Sequence, residues 1–271
     1  MRTLILGADG QLGTELMKIF PDSVGSPHSG SRKLDIQDFA AVSGLLFEES
    51  PELIINASAL TNVDLCEEEK TTAIRTNGYA VGNIVECARE LNSYFIHVST
   101  DYVFDGLIGN YNENSTPNPV NYYGLSKLIG DVFAQSYRKS LIIRTSGVFG
   151  RANNFPRFSY NALKYGKGLN VIEGYYSPIH ARLLAESIWH LAGMNYFGVL
   201  NVAGEKISRF QLALEIADVF GFDRTLIRKG QTEMKFKAKR PNDSSLDITM
   251  AKAIIPFDFY STRKNIELLK D

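Results

Sequence analysis

Short apolar runs alternate along this chain with longer stretches whose apolar positions recur at helical spacing. Thr3–Ala8 (TLILGA), Leu53–Ser58 (LIINAS), Tyr94–Thr100 (YFIHVST) and Ser140–Ser146 (SLIIRTS) carry continuous apolar residues, the pattern of strands buried on both faces. DSVGS at 22–26 reads as a weaker, shorter strand. Between these runs QLGTELMKIF, DIQDFAAVSGLLFEES, a stretch from about Thr71 to Leu91, and the segment beginning NYYGLSKLIGD read as helices. Strands separated by helices predict an α/β fold: a Rossmann-type, doubly wound parallel sheet with helices on both faces. Past about residue 150 the pattern loosens. RANNFPRFSY is polar and aromatic, NVIEG, VLNVAGE and TLIRKG read as short strands, and HARLLAESIWHLAGM and SRFQLALEIADVFG as helices. The expected organisation is a Rossmann domain over 1–150 and a small C-terminal substrate lobe over 151–271, with some of its elements returning to the sheet.

Composition narrows the function classes. Of 271 residues 44% are hydrophobic, enough for a substantial core, and 29 basic residues balance 30 acidic ones. A net charge of −1 gives no basic excess for nucleic acid. Cys66 and Cys87 stand far apart without metal-ligand spacing, which fits a reducing cytosol. The N-terminal apolar run MRTLILGADG is too short for a signal peptide, and no run reaches the roughly 20 apolar residues of a membrane span. A cytoplasmic protein without membrane or nucleic-acid partners is expected. His28, His97, His180 and His190 do not cluster, so no catalytic metal is expected.

Ligands of open parallel sheets sit beyond the carboxyl ends of the strands, so those ends carry the candidate chemistry. The first strand ends in GADGQLG, which sets Gly7, Gly10 and Gly13 at GxxGxxG spacing between a strand and a helix. Glycines let a backbone approach a pyrophosphate, and the helix N-terminus favours its charge. After the second strand an NAD-type site has an acidic residue; here VGSPHSGSRKLD offers Ser26, His28, Ser29, Ser31, Arg32 and Lys33, with no acid before Asp35. Hydroxyls and cations suit a 2′-phosphate, so NADPH is the expected cofactor, with NADH left open. Asp35 opens DIQD and reads as a helix N-cap, a role compatible with an adenine contact.

Tyr123 and Lys127 lie four residues apart at the start of a helical run, hence on one helix face. A nearby ammonium favours tyrosinate and is expected to lower the phenol pKa from about 10. Thr100 stands at the carboxyl end of the preceding strand. Together with the glycine loop these residues point to a proton-transfer site in a dinucleotide-binding fold.

The chain resembles the extended short-chain dehydrogenase/reductases, and more closely the dTDP-4-dehydrorhamnose reductase family. The matching segments are GADGQLG, INASALTNVDLCE, STDYVFDG, YYGLSKLIGD, IIRTSGVFG and KRPNDSSLD, in order along nearly the whole chain. The resemblance implies Thr100, Tyr123 and Lys127 as the catalytic trio. It implies cofactor contacts at Gly7, Gly10, Gln11, Leu12 and Gly13, at Asp35 and Ile36, at Ala57, Ser58 and Ala59, and at Tyr123 and Lys127. Thr100, Asp101, Tyr102, Asn154 and Arg240 are the substrate candidates, Arg240 for a nucleotide phosphate. The implied reaction is NAD(P)H-dependent reduction of a 4-keto-6-deoxy sugar nucleotide, dTDP-4-dehydrorhamnose to dTDP-rhamnose, with a homodimer among the assemblies left open.

Two departures fall in the expected substrate lobe. Gly147 stands where the family often has a tryptophan after RTS, and Tyr175–Ala181 reads YYSPIHA where the family has a GxPT-like segment. The pocket there is expected to be roomier, or filled by another residue. Two alternatives stay open: a sugar-nucleotide epimerase, and a non-catalytic NADP-binding subunit similar to the regulatory subunit of methionine adenosyltransferase. A dehydratase is disfavoured, because Asp101-Tyr102 replaces its Asp-Glu pair.

Overall fold

The computed structural model describes residues 1–26, 33–152, 154–230 and 236–270. Five of the seven strands of a parallel sheet come first in the chain: β1 (Thr3–Leu6), β2 (Val24–Ser26), β3 (Leu53–Asn56), β4 (Tyr94–Thr100) and β5 (Ser140–Phe149), in the order β2-β1-β3-β4-β5. Alternate residues of each strand enter opposite layers. Ile5, Ile55, Ile96 and Ile143 pack with Leu12 and Leu16 of α1 (Gln11–Ile19). Leu4, Leu6, Ile54, Phe95 and Ile142 pack with Val42 and Leu46 of α2 (Phe39–Glu49). Both faces are therefore covered, which explains why these strands read as continuous apolar runs.

The stretch expected to be helical from about Thr71 to Leu91 is helical from Lys70 to Glu90, with a π turn inside it. After a short helix α3 (Val63–Glu68), α4 (Lys70–Ile74) runs into the π turn at Arg75–Tyr79, and α5 (Ala80–Glu90) continues from it. The π turn buries Asn77, whose amide meets the backbone of Leu60 on both its N–H (2.8 Å) and its carbonyl (3.0 Å) and donates to Ser126 Oγ at 2.9 Å. One extra residue per turn thus fixes the loop after β3 to helix α6 (Tyr122–Gln135), a use typical of π-bulges near functional sites. The cap of α2 is also corrected. Asp38, not Asp35, accepts from Ala41 N at the N-cap, while Asp35 accepts from Gln37 N in a turn of its own.

Beyond β5 the chain builds a lobe and also returns to the sheet. Helix α7 (Phe155–Lys164) starts inside the segment read as irregular, capped by Asn154 with Pro156 in its first turn. Next come β6 (Leu169–Val171), β7 (Tyr175–Tyr176), β8 (Pro178–His180), α8 (Ala181–Met194), β9 (Gly198–Asn201), β10 (Ile207–Ser208), α9 (Arg209–Phe220) and β11 (Ile227–Lys229). Strands β8 and β9 both join β5 in parallel: β9 against Leu141–Arg144, β8 against Ser146 and Phe149 with a register shift between them. Strand β5 therefore runs three residues past the expected Ser146 and carries the sheet into the lobe. The lobe has its own core around Leu163, Leu169, Leu212 and Ile216. No helix among the described residues is long and apolar enough to cross a membrane.

Helix α1 touches the loop that precedes it at Gly13. A Cβ there would overlap the Gly7 carbonyl oxygen and stand 2.8 Å from Ala8 Cα. Backbone cannot yield as a side-chain tip can, so Gly13→Ala should destabilise the fold by about 1–3 kcal/mol, the usual cost of overpacking. Thermal unfolding should show a melting temperature lower by several degrees; an unchanged value would refute the packing role.

Candidate active site

A cleft of about 950 Å³ runs along the carboxyl ends of β1 to β5. At one end Gly7, Gly10, Gln11 and Leu12 form its floor, with Ser26, Asp35 and Ile36 beside them and Ala57, Ser58 and Ala59 opposite. The α1 N-cap, Gly10, contributes no side-chain hydrogen bond, so the first-turn amides are available to an anion. A Cβ on Gly7 would come within 2.8 Å of Ser58 N, so the two strand ends approach closely only because that side chain is missing. Gln11 ties this end to β5: its Nε2 donates to Val148 O at 2.7 Å and its Oε1 accepts from Ala152 N at 2.9 Å. Gly13 does not line the cleft; it lies beneath, against Gly7 and Ala8. Arg32, with His28, Ser29 and Ser31, lies outside the described residues, whereas Lys33 lines the cleft.

At the other end Thr100, Tyr123 and Lys127 come together in the cleft wall. Asn121 caps α6 by accepting from Gly124 N at 2.8 Å, and its Nδ2 donates to Lys239 O at 2.9 Å. The register this sets turns Tyr123 into the cleft and Tyr122 away from it, under the Lys70 ammonium at 4.4 Å. Thr100 lies near enough to Tyr123 to favour its tyrosinate form. Tyr102 packs edge-on against Tyr123, with ring centroids 5.7 Å apart. Lys127 is almost fully buried and donates to Val98 O at 2.7 Å, with His97 Nε2 at 3.4 Å.

Asp101, expected at the substrate, lines the cleft but serves the protein. Its carboxylate accepts from Thr100 Oγ1 at 3.1 Å, Ser146 Oγ at 2.7 Å and Ser244 Oγ at 2.5 Å. Residue types alone do not reveal Ser146 and Ser244 as its partners, since serines carry no distinctive spacing. Asn154 also lines the cleft, but its amide caps α7 and donates to Val148 O at 3.0 Å. Arg240 does not line it. Its guanidinium pairs with Asp64 at 3.0 Å, and its Nη1 is buried without a hydrogen-bond partner. The sequence reading also missed Thr72 and Thr76, which line the cleft from α4 and the π turn, and Thr145 on β5. The i, i+4 spacing of Thr72 and Thr76 was the available signal.

A family model described as "RmlD substrate binding domain" matches residues 1–270. The chain is 33% identical to a dTDP-4-dehydrorhamnose reductase of Aggregatibacter actinomycetemcomitans over 98% of each sequence. It belongs to the dTDP-4-dehydrorhamnose reductase family. Among solved structures, a hypothetical dTDP-4-dehydrorhamnose reductase from Sulfolobus tokodaii is 46% identical with a TM-score of 0.90, covering 96% of this chain and 97% of its own. The dTDP-4-dehydrorhamnose reductase of Bacillus anthracis, solved in complex with NADP, is 28% identical with a TM-score of 0.91, covering 99% and 98%. Within this reductase family the departure at Gly147 has a structural counterpart. A Cβ on Gly147 would meet the ring of Tyr176 at 2.7 Å.

The electrostatics of this reductase-family site correct one expectation. Burial raises the Tyr123 pKa instead of the Lys127 ammonium lowering it; the nearby Thr100 hydroxyl opposes burial without overcoming it. Burial also pushes Lys127 down to about 8, with the nearby Asp131 carboxylate working the other way. In the unfolded chain this lysine titrates near 10.4. Between pH 8 and that value the unfolded state holds the extra proton, so this group's contribution to stability rises with pH and the cost of burying its charge is fully felt below 8. The stability of the wild type relative to Lys127→Met should therefore increase by about 1.4 kcal/mol per pH unit from pH 8 to 10. Urea titrations of both proteins at several pH values check this; a difference independent of pH would refute the lowered pKa.

Proposed function

We propose that this protein is an NADPH-dependent reductase of a 4-keto-6-deoxy sugar nucleotide, converting dTDP-4-dehydrorhamnose to dTDP-rhamnose. The observation that carries the reading is Thr100 and Tyr123 together in one cleft wall, with Lys127 one helical turn from Tyr123 on the same face of α6. The glycine cradle, the uncapped start of α1 and the ends of β2 and β3 fit a dinucleotide. When bound, NADPH supplies a hydride to the ketone carbon. Tyr123 gives its proton to the developing alkoxide, and its raised pKa keeps that proton in place at neutral pH. Thr100 turns its single O–H from Asp101 to the same oxygen as charge builds on it. Lys127 holds the nicotinamide ribose with the part of its ammonium not bound to Val98 O and His97. Tyr102, which lines the cleft, is the candidate for substrate contact, whereas Arg240 is engaged with Asp64 outside the cleft lining. Asp101 and Asn154 act by placing Thr100 and the loop after β5. An intact Thr100–Tyr123–Lys127 set favours an enzyme over a non-catalytic NADP-binding subunit.

Incubation with NADPH and dTDP-4-keto-6-deoxy-mannose should consume NADPH. Tyr123→Phe should lower turnover by about 10² or more, the scale of a lost general acid, with NADPH binding and melting temperature kept. Tyr122→Phe, whose ring faces Lys70, should turn over as the wild type does. The opposite ranking would displace Tyr123 from its role.

Cofactor choice is tested separately. Ser26 and Lys33 line the adenosine end of the cleft, and a hydroxyl beside an ammonium favours a 2′-phosphate. Fluorescence titration should give tighter binding of NADPH than of NADH; the reverse order would sink the preference.

A further inference from the structure

Thr72 on α4 and Thr76 on the π turn both line the cleft, and both are half-buried. A threonine in a helix can satisfy its hydroxyl on the carbonyl one turn back. Neither does so here, and neither hydroxyl has a hydrogen-bond partner among the described residues. Two hydroxyls on one wall of the cleft are thus left for a ligand.

The contacts on either side of Thr76 fix where it stands. Its neighbour Arg75 reaches the loop after β2, donating from Nη2 to Gln37 O at 3.1 Å. Its other neighbour, Asn77, holds Leu60 in the loop after β3 by both backbone groups, at 2.8 and 3.0 Å. Thr76 therefore sits where these two loops converge on the cleft, and Thr72 lies one turn back on the same wall. Gln37 is itself tied to Asp35, whose carboxylate accepts from its N–H at 2.9 Å. This is the end of the cleft that Ser26, Lys33 and Asp35 also line.

Leu34, Ile36 and Leu60 give this end apolar side chains. Apolar walls with two unengaged hydroxyls match a flat heteroaromatic base. The faces of a purine are apolar, while the rim of adenine carries ring-nitrogen acceptors and an amino donor, and a hydroxyl can serve either kind. A 2′-phosphate instead finds the ammonium of Lys33. We infer that Thr72 and Thr76 are specificity-determining residues that hydrogen-bond the adenine base of the bound dinucleotide. This rests on the reading of the cleft as a dinucleotide site. The π turn takes part by presenting Thr76 to the cleft while Arg75 and Asn77 bond to the loops on either side.

Thr72→Val and Thr76→Val keep the branched shape and remove only a hydroxyl. Fluorescence titration should show each variant binding NADPH and NADH roughly three- to tenfold more weakly, the scale of one hydrogen bond. Affinity for reduced nicotinamide mononucleotide, which has no adenine, should stay unchanged. Thr76→Ser, which keeps a hydroxyl and loses a methyl, should bind NADPH as the wild type does. Unchanged or tighter NADPH binding by the valine variants would overturn the inference. A loss for NADPH without one for NADH would move the hydroxyls to the 2′-phosphate and overturn it too. So would a loss shared by the mononucleotide, which would place the effect in the fold, or an equal loss in Thr76→Ser, which would place it in the methyl group. A wild type that binds neither dinucleotide overturns the reading of the cleft and this assignment with it. A wild type that binds NADPH but reduces no keto-sugar nucleotide overturns the proposed reaction and not the threonine contacts.

Discussion

An ammonium group buried in the middle of this fold is the constraint around which the site is arranged. Lys127 is 2% exposed, and placing a charge there is costly unless dipoles and countercharges surround it. The backbone of β4 supplies the first, since Val98 O accepts from Nζ at 2.7 Å. Asp131, one turn further along α6, supplies the second, and Arg144 on β5 approaches its carboxylate at 3.4 Å. His97 sits between them, 3.4 Å from Lys127 Nζ and 3.8 Å from Asp131. Burial and the Lys127 charge both keep that imidazole neutral, so it adds no further positive charge. Helix α6 must hold one rotation and one height against β4 and β5 for these contacts to exist together. That same rotation points Tyr123 into the cleft.

Asp101 performs the corresponding task for the far side of the cleft. Its carboxylate collects hydroxyls from Thr100, Ser146 and Ser244, residues from three distant parts of the chain. Burial would favour the neutral acid, and the hydroxyls pull toward the carboxylate. The late segment containing Ser244 is thus bound to the end of β4. Asn121 does the same from the start of α6, donating to Lys239 O. The lobe and the sheet meet at the site through hydrogen bonds to groups that also orient Thr100 and Tyr123.

The parts of this arrangement visible in the sequence are those with a period or a spacing. Buried parallel strands appear as unbroken apolar runs, and GADGQLG and the Tyr123–Lys127 pair keep fixed offsets. The π turn at Arg75–Tyr79 left no such mark, because one extra residue in a turn does not disturb an apolar pattern enough to be seen. Helix α7 was hidden because its polar and aromatic residues pack on the lobe, and the lobe core is assembled from distant segments. The environment of Tyr123 was misjudged for a related reason. Spacing shows which groups share a helix face, but it says nothing of how deeply each is buried or where an ammonium is already engaged.

The burial of Tyr123 bears on the protonation state in which it enters the proposed reaction. A phenol with a lowered pKa would serve best as a base, taking a proton from an alcohol. A buried phenol with a raised pKa holds its proton and serves as a donor, which is what ketone reduction needs. Lys127 then acts after the transfer rather than before it. Once Tyr123 has given up its proton, a tyrosinate stands on the same helix face as the ammonium, and the attraction between opposite charges is stronger in a buried site than in water. The burial that makes the resting tyrosine a reluctant acid also makes its conjugate base tolerable beside Lys127. Above about pH 8, where Lys127 loses its charge, that support is withdrawn, and the proposed reduction loses the group that stabilises its immediate product.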